Sequence, residues 1–155
     1  MGACFDITLD LEDGAIVGQE SDASKWAAAS LNHFRSLYGD DARRPGVRVH
    51  PVNHAAFIQD IETLLVPEVA SPAYIMLPKA ESLKDVVTCL DRMEAFCTQK
   101  GAERPPLHVL IETHGALAEV QGIAARHEVE SLSFGLMDFV SSHRSAIPKS
   151  ALNTP

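Results

Sequence analysis

The feature that most restricts the fold is a repeated change of period. Short, nearly continuous apolar runs alternate with longer stretches whose apolar residues recur at helical spacing. Leu107-His108-Val109-Leu110-Ile111-Glu112-Thr113 is a run of the first kind. Val129 to Phe134, leading into Gly135-Leu136-Met137-Asp138, is another, reached after one amphipathic interval. Runs this apolar belong in a parallel sheet covered by helices, with βα alternation supplying the cover. In a β/α barrel the C-terminal ends of the strands share one rim, where chemistry is placed. Glu112 and Asp138 are therefore expected to meet there, although a whole helix separates them in sequence.

The same alternation runs along the chain. Phe5 to Leu11 alternates polar and apolar residues, and Glu12-Asp13-Gly14 ends it. Ser21 to Ser24 offers a helix N-cap. Lys25 to Tyr38 follows, with Trp26, Leu31, Phe34 and Leu37 as apolar positions, up to a break at Gly39-Asp40-Asp41. Gly46 to His50 is a strand stopped by Pro51, and Asn53 is placed to cap a helix from about Ala55 to Leu65. Ala73 to Lys79 is the third strand. Ser82 opens a long helix to Lys100 that Gly101 closes, with Leu83, Val86, Val87, Leu90, Met93 and Cys97 at helical spacing. That face is core packing, not a cofactor box. Ala116 to Arg126 is the next helix, with Leu117, Val120 and Ile123 on one side.

The order β-α-β-α-β-α-β-α-β predicts one α/β domain with about five parallel strands over residues 1–140, and loop or tail over 141–155. Five strands are too few for an eight-stranded barrel. A partial barrel and a small doubly wound domain both fit the order. GxGxxG and GxxxxGK[ST] are absent, so nothing in the sequence argues for a nucleotide fold.

Composition narrows the function. A net charge of -8 without an extended Lys/Arg cluster argues against a nucleic-acid surface or an anionic membrane face. No apolar run approaches the ~20 residues of a membrane span. Cys4, Cys89 and Cys97 form no CxxC pair, which predicts reduced thiols in a cytoplasmic protein, used as small core residues. An acidic protein with an anionic substrate must concentrate its few basic residues locally, which singles out Arg48 and Lys79.

Two hard oxygen ligands with room for water suit Mg²⁺, or another hard divalent cation, better than zinc. The alternative for Glu112 and Asp138 is that both merely begin the helices that follow. Arg48 has a structural alternative too, as an ion-pair partner of Glu12 or Asp13. Lys79 is read as a rim lysine, the other option being a Schiff-base nucleophile. The histidines contain no HExxH. Pro51 between His50 and His54 argues against a zinc pair on one helical face, and His114 lies near the rim in a surface or supporting role.

Taken together, the strand ends carry Leu9-Asp10-Leu11-Glu12-Asp13-Gly14, Val47-Arg48-Val49-His50, Leu77-Pro78-Lys79, Ile111-Glu112-Thr113 and Phe134-Gly135-Leu136-Met137-Asp138-Phe139. This series resembles the citrate lyase beta-subunit-like proteins of the HpcH/HpaI aldolase superfamily, which includes malyl-CoA, citramalyl-CoA and citryl lyases. The resemblance implies a TIM-type barrel and a divalent metal, usually Mg²⁺. It also implies reversible cleavage of a 3-hydroxyacyl thioester into a 2-oxo acid and an acyl-CoA or acyl-carrier thioester. By this resemblance Glu112 and Asp138 are the metal ligands. Arg48 binds the substrate carboxylate and oxo group. Glu12 and Asp13 hold metal-bound waters or Arg48, and Lys79 plays a structural or electrostatic part.

The chain departs from the family at several places. His50 stands where the family often has asparagine, and Ala29 where it has an arginine on the first helix. A full family barrel has around twice this length. The first strand, the last two strands and the C-terminal segment that can supply a catalytic acid to a neighbouring subunit have no counterpart here. The expectation is therefore a partial barrel, as a truncated or internal fragment. The proton-transferring base has no assigned residue. Two uncovered sheet edges predict a homo-oligomer. A non-catalytic remnant of such a lyase is the alternative function, with a doubly wound binding domain behind it.

Overall fold

The computed structural model describes residues 7–39 and 45–142. Its frame is one parallel sheet of five strands: β1 (Thr8–Asp10), β2 (Gly46–Arg48), β3 (Ile75–Leu77), β4 (Leu107–Ile111) and β5 (Val129–Phe134). The strands lie side by side in chain order. That order decides between the two architectures the sequence allows. A doubly wound sheet reverses direction at a switch point. Here every crossover steps the same way, and right-handed crossovers that all step one way place their helices on one face. The sheet is an arc of a β/α barrel.

The helices are α1 (Glu20–Tyr38), α2 (Phe57–Leu64), α3 (Leu83–Lys100), α4 (His114–Ala118), α5 (Val120–Ala124) and α6 (Leu136–Ser141). The strand residues facing them are buried without a break: Leu9 and Leu11, Val47 and Val49, Ile75 and Leu77, then Leu107, Val109 and Ile111. The period-2 alternation sends their neighbours to the concave face. This second face is polar. Thr8 and Tyr74 share a 2.6 Å hydrogen bond, and His108 bonds Ser131 at 2.6 Å and Ser133 at 2.8 Å. Above this layer, toward the C-terminal rim, lie Asp10, Arg48 and Glu112.

β4 and β5 have the predicted limits, and α3 has the predicted cap. The Ser82 side chain accepts from the Asp85 amide, and Gly101 takes the left-handed conformation at φ 68°. Other boundaries moved. α1 starts at Glu20, and Ser24 lies inside it with its hydroxyl bonded to the Glu20 carbonyl. Of the apolar positions predicted on α1, Leu31 is buried, whereas Trp26 and Leu37 are about 60% exposed. The buried face is made of Ser24, Ala27, Ala28 and Leu31, so small residues bring α1 against α2.

Asn53 does not cap α2, which begins after Ala56 without a side-chain cap. The single helix expected from Ala116 to Arg126 is two short ones, α4 and α5, divided at Glu119. The Glu119 carboxylate is used elsewhere, accepting from the Leu83 amide at 2.6 Å. α6 is the helix that the alternative reading of Asp138 expects. Expectations for Cys4, the strand start at Phe5-Asp6, the Asp40-Asp41 break and the 143–155 tail fall outside the described residues.

Candidate functional site

The C-terminal rim of the sheet gathers five carboxylates around two cations. Arg48, at the end of β2, lies flat against Asp10 of the neighbouring β1. Nε donates to Oδ1 at 2.7 Å and Nη2 to Oδ2 at 2.6 Å. Its Nη1 reaches Asp13 Oδ2 at 3.3 Å and stands 3.2 Å from Glu12 Oε2. The hydrogen bonds to Asp10 hold the guanidinium even further above its ordinary pKa, against its partial burial. Asp10 in turn is pushed down. Burial opposes its charge, but Arg48 and the amides of Glu12 and Gly14 outweigh it.

Lys79 follows β3. Among the described residues it is the one non-glycine with positive φ, at 49°. A left-handed lysine is held only where its surroundings over-determine it. Both ends of Lys79 are held. Its backbone N–H donates to Glu112 Oε1 at 2.7 Å. Its ammonium pairs with Glu12, reaches Asp13 Oδ1 at 3.3 Å and lies 3.8 Å from Asp138 Oδ2. Burial works against that charge, yet Glu12 and Asp13 win and raise its pKa. A lysine held as an ammonium is poorly suited to Schiff-base attack.

Glu112 is buried at the end of β4, with 3% of its surface exposed. Burial raises its pKa, and the nearby Asp138 and Glu12 charges add to this against the pull of Lys79. Glu112 does not begin the following helix. Thr113 does, accepting from the Ala116 amide at 3.0 Å while donating to the Ala80 carbonyl at 2.6 Å. Asp138 does lie in the first turn of a helix, α6. Gly135 makes room for Glu112: a Cβ there would stand 2.6 Å from Glu112 Cβ and 2.6 Å from Oε2.

All the predicted site residues (Glu12, Asp13, Arg48, Lys79, Glu112 and Asp138) are in this one cluster. Sequence reasoning missed Asp10, the principal partner of Arg48. The signal was present, since an aspartate inside a strand is disfavoured unless something pairs with it. The structural alternative for Arg48 is met in part: Asp10, Glu12 and Asp13 engage three of its five N–H donors or stand beside them.

Two carboxylates of this rim, Glu112 and Asp138, could serve a cation, and the Asp138 charge adds to burial in raising the Glu112 pKa. Among the described residues no group of three or more His, Cys, Asp or Glu side chains converges on one point. Two protein oxygens, with the remaining positions left to water and substrate, suit Mg²⁺ and do not suit structural zinc. The chemistry of the set thus fits the cation inferred from sequence. His50 and His54 are stacked, with centroids 4.5 Å apart at 13°.

A parallel sheet in barrel order with acidic residues and an arginine on its C-terminal rim defines a β/α-barrel architecture. The sequence profile of the HpcH/HpaI aldolase/citrate lyase family matches residues 4–150, and the chain belongs to that family. A citrate lyase structure from Burkholderia xenovorans LB400 is 43% identical with a TM-score of 0.85, aligned over 99% of this chain and 47% of its own. The citrate lyase beta subunit of Mycobacterium tuberculosis, solved with oxaloacetate and magnesium, is 24% identical over 94% of this chain and 56% of its own, with a TM-score of 0.64. Malate synthase of Haloferax volcanii shares the fold at 12% identity and a TM-score of 0.71, over 91% of this chain and 44% of its own. The chain spans about half the length of these structures. No protein of curated function matches it.

Proposed function

We propose that the chain acts as a Mg²⁺-dependent carbon–carbon lyase of the citrate lyase beta-subunit type. It would cleave a 3-hydroxyacyl thioester reversibly into a 2-oxo acid and an acyl thioester carried on CoA or a carrier protein. The observation that carries this reading is the rim cluster in which Glu112 feels the Asp138 and Glu12 charges and Arg48 stands against Glu12 and Asp13. Glu112 is buried, is oriented by the Lys79 amide and sits in a carboxylate-rich cluster. Glu112 and Asp138 would hold the cation, which when bound supplies Lewis acidity toward the oxygens of a 2-oxo acid.

Arg48 is the substrate-binding residue on this reading. With its Nε edge fixed on Asp10, one N–H on each terminal nitrogen is left over, and these orient a substrate carboxylate against the reacting carbon. Glu12 and Asp13 hold Arg48 and Lys79 in place. The magnesium and oxaloacetate bound to the Mycobacterium tuberculosis relative support the same ligand class here. A cytoplasmic homo-oligomer belongs to the proposal. Phe134, Leu136 and Met137 are 46–78% exposed beside the β5 edge, an apolar surface that a second copy would cover.

A non-catalytic relative of these lyases is the second reading, favoured by the ion pairs that already engage Arg48 and Lys79. Thermal melts with and without Mg²⁺ and oxaloacetate, repeated on Glu112→Ala, separate the two. A ligand that binds the folded state raises the midpoint by mass action. The lyase reading expects a Mg²⁺-dependent rise that Glu112→Ala abolishes, accompanied by turnover. Binding without turnover supports the non-catalytic relative, and no response from the wild-type chain overturns the site.

A further inference from the structure

We infer that His50 is a catalytic acid–base of this site, working through Nε2, with Asp60 as its positioning residue; the inference rests on the lyase reading above. Asp60 is fully buried on α2 and its carboxylate is completely engaged. Oδ1 accepts from the Ser24 hydroxyl of α1 at 2.6 Å, and Oδ2 accepts from the His50 backbone N–H at 2.9 Å. The same Oδ2 lies 2.7 Å from His50 Nδ1. An ionised carboxylate only accepts, so the proton of the neutral ring is on Nδ1 and the lone pair is on Nε2. No hydrogen bond reaches Nε2 among the described residues.

His50 lines a cavity of about 330 Å³ that it shares with Glu12 and Lys79 of the rim cluster and with the apolar Ala15, Ile16 and Val17. The groups facing it are Asp60 from α2, Ser24 and Glu20 from α1, Glu12 after β1, His54 and Pro51 before α2, and Lys79 after β3. His54 stacks on the ring and fixes its plane. The buried Asp60 and the stacked His54 leave the ring one productive orientation, with its base toward the cavity shared with Glu12 and Lys79.

In the condensation direction, Nε2 takes a proton from the carbon next to the thioester carbonyl, and the C–H electron pair becomes the enolate. That pair forms the new carbon–carbon bond to the carbonyl carbon of the 2-oxo acid, whose C=O π pair moves to oxygen. The resulting alkoxide takes the proton back from Nε2–H, which returns the ring to its starting form. Cleavage is the reverse. No oxidant or further reactant is needed.

The test uses the full chain with Mg²⁺, with acetyl-CoA in D₂O as probe. Wash-in of deuterium at the acetyl methyl is followed by NMR, and oxaloacetate binding by calorimetry. His50→Gln is expected to slow exchange by about 10²-fold or more while oxaloacetate affinity stays within about twofold. His50→Ala, should the glutamine variant fold poorly, is expected to regain exchange with added imidazole, a response that a structural histidine would not show. Exchange in His50→Gln at the wild-type rate overturns the assignment. So does a wild-type chain that binds oxaloacetate without exchanging. A wild-type chain that binds neither Mg²⁺ nor oxaloacetate overturns the lyase reading and this role with it, so the two failures read apart.

Discussion

Arg48 and Asp10 meet edge to edge across two neighbouring strands, through parallel hydrogen bonds of 2.7 and 2.6 Å. The register pairs them directly, Asp10 opposite Arg48. The contact therefore fixes both the guanidinium plane and the alignment of β1 on β2. Asp10→Ala is expected to lower stability by roughly 1–3 kcal/mol, the range for hydrogen bonds to charged groups, toward the lower end because both side chains touch solvent. Urea titration measures it. Since Arg48 holds the Asp10 pKa below its ordinary value, the wild-type advantage over Asp10→Ala should be full above about pH 4. It should be lost as pH falls further through the depressed value. An advantage that grows on acidification would show that the pair is not ionic.

Gly135→Ala tests whether Glu112 is held in position by its neighbours. The added methyl would occupy space 2.6 Å from both Glu112 Cβ and Oε2. The carboxylate must move, because the Gly135 amide is tied to the Ile111 carbonyl at 2.9 Å. The expected results are a loss of about 1–3 kcal/mol from overpacking and a weaker calorimetric response to Mg²⁺. Unchanged Mg²⁺ affinity in a folded variant would place the cation away from Glu112.

The strands could be read in advance where their helix-facing residues are apolar and buried, as Leu107, Val109 and Ile111 are. Val129–Phe134, half-buried or exposed along its length, was still found as a strand, with Val129, Leu132 and Phe134 as its apolar residues. α1 was read less well because its packing selects small residues: Ala27 and Ala28 go inward while Trp26 and Leu37 stay out. Ser24 looked like a cap because serine signals caps, and it is instead a mid-helix donor to Asp60. The site residues at strand ends could be read because a parallel sheet puts all such ends on one rim. Asp60 was missed because it is an acid at a core-facing position of its helix, and Asp10 because it is an acid on the concave face of a short strand. Asp60 continues the helical spacing of Phe57, Ile61 and Leu64, which in retrospect marks a buried, fully bonded carboxylate.

Ser24→Ala removes one of the three contacts on that carboxylate. Asp60 would then keep the His50 amide and ring on Oδ2, with Oδ1 left without its donor inside the α1–α2 interface. A loss of roughly 1–3 kcal/mol is expected, the penalty for an unsatisfied buried acceptor. Guanidinium unfolding checks it. A neutral result would mean that water reaches Oδ1, and the buried triad would lose its claim to rigidity.

The last prediction concerns whether five strands and their helices fold on their own. Cys89 and Cys97 lie on the inner face of α3, the long helix at the middle of the outer layer, and both are buried. Burial pushes the Cys89 thiol up to about 12. It also raises Cys97, aided by Glu94 and opposed by Arg104. At pH 8 an exposed thiol is partly thiolate and alkylates readily. Iodoacetamide with peptide mapping should therefore leave both cysteines unmodified in the native chain and label both in guanidinium. Protection that follows the chain's cooperative melt would show α3 docked in the core as the structure has it. Labelling of Cys89 at the rate of a free thiol would mean that the helix layer opens continually, so the rim residues it supports would not be held in the geometry described above.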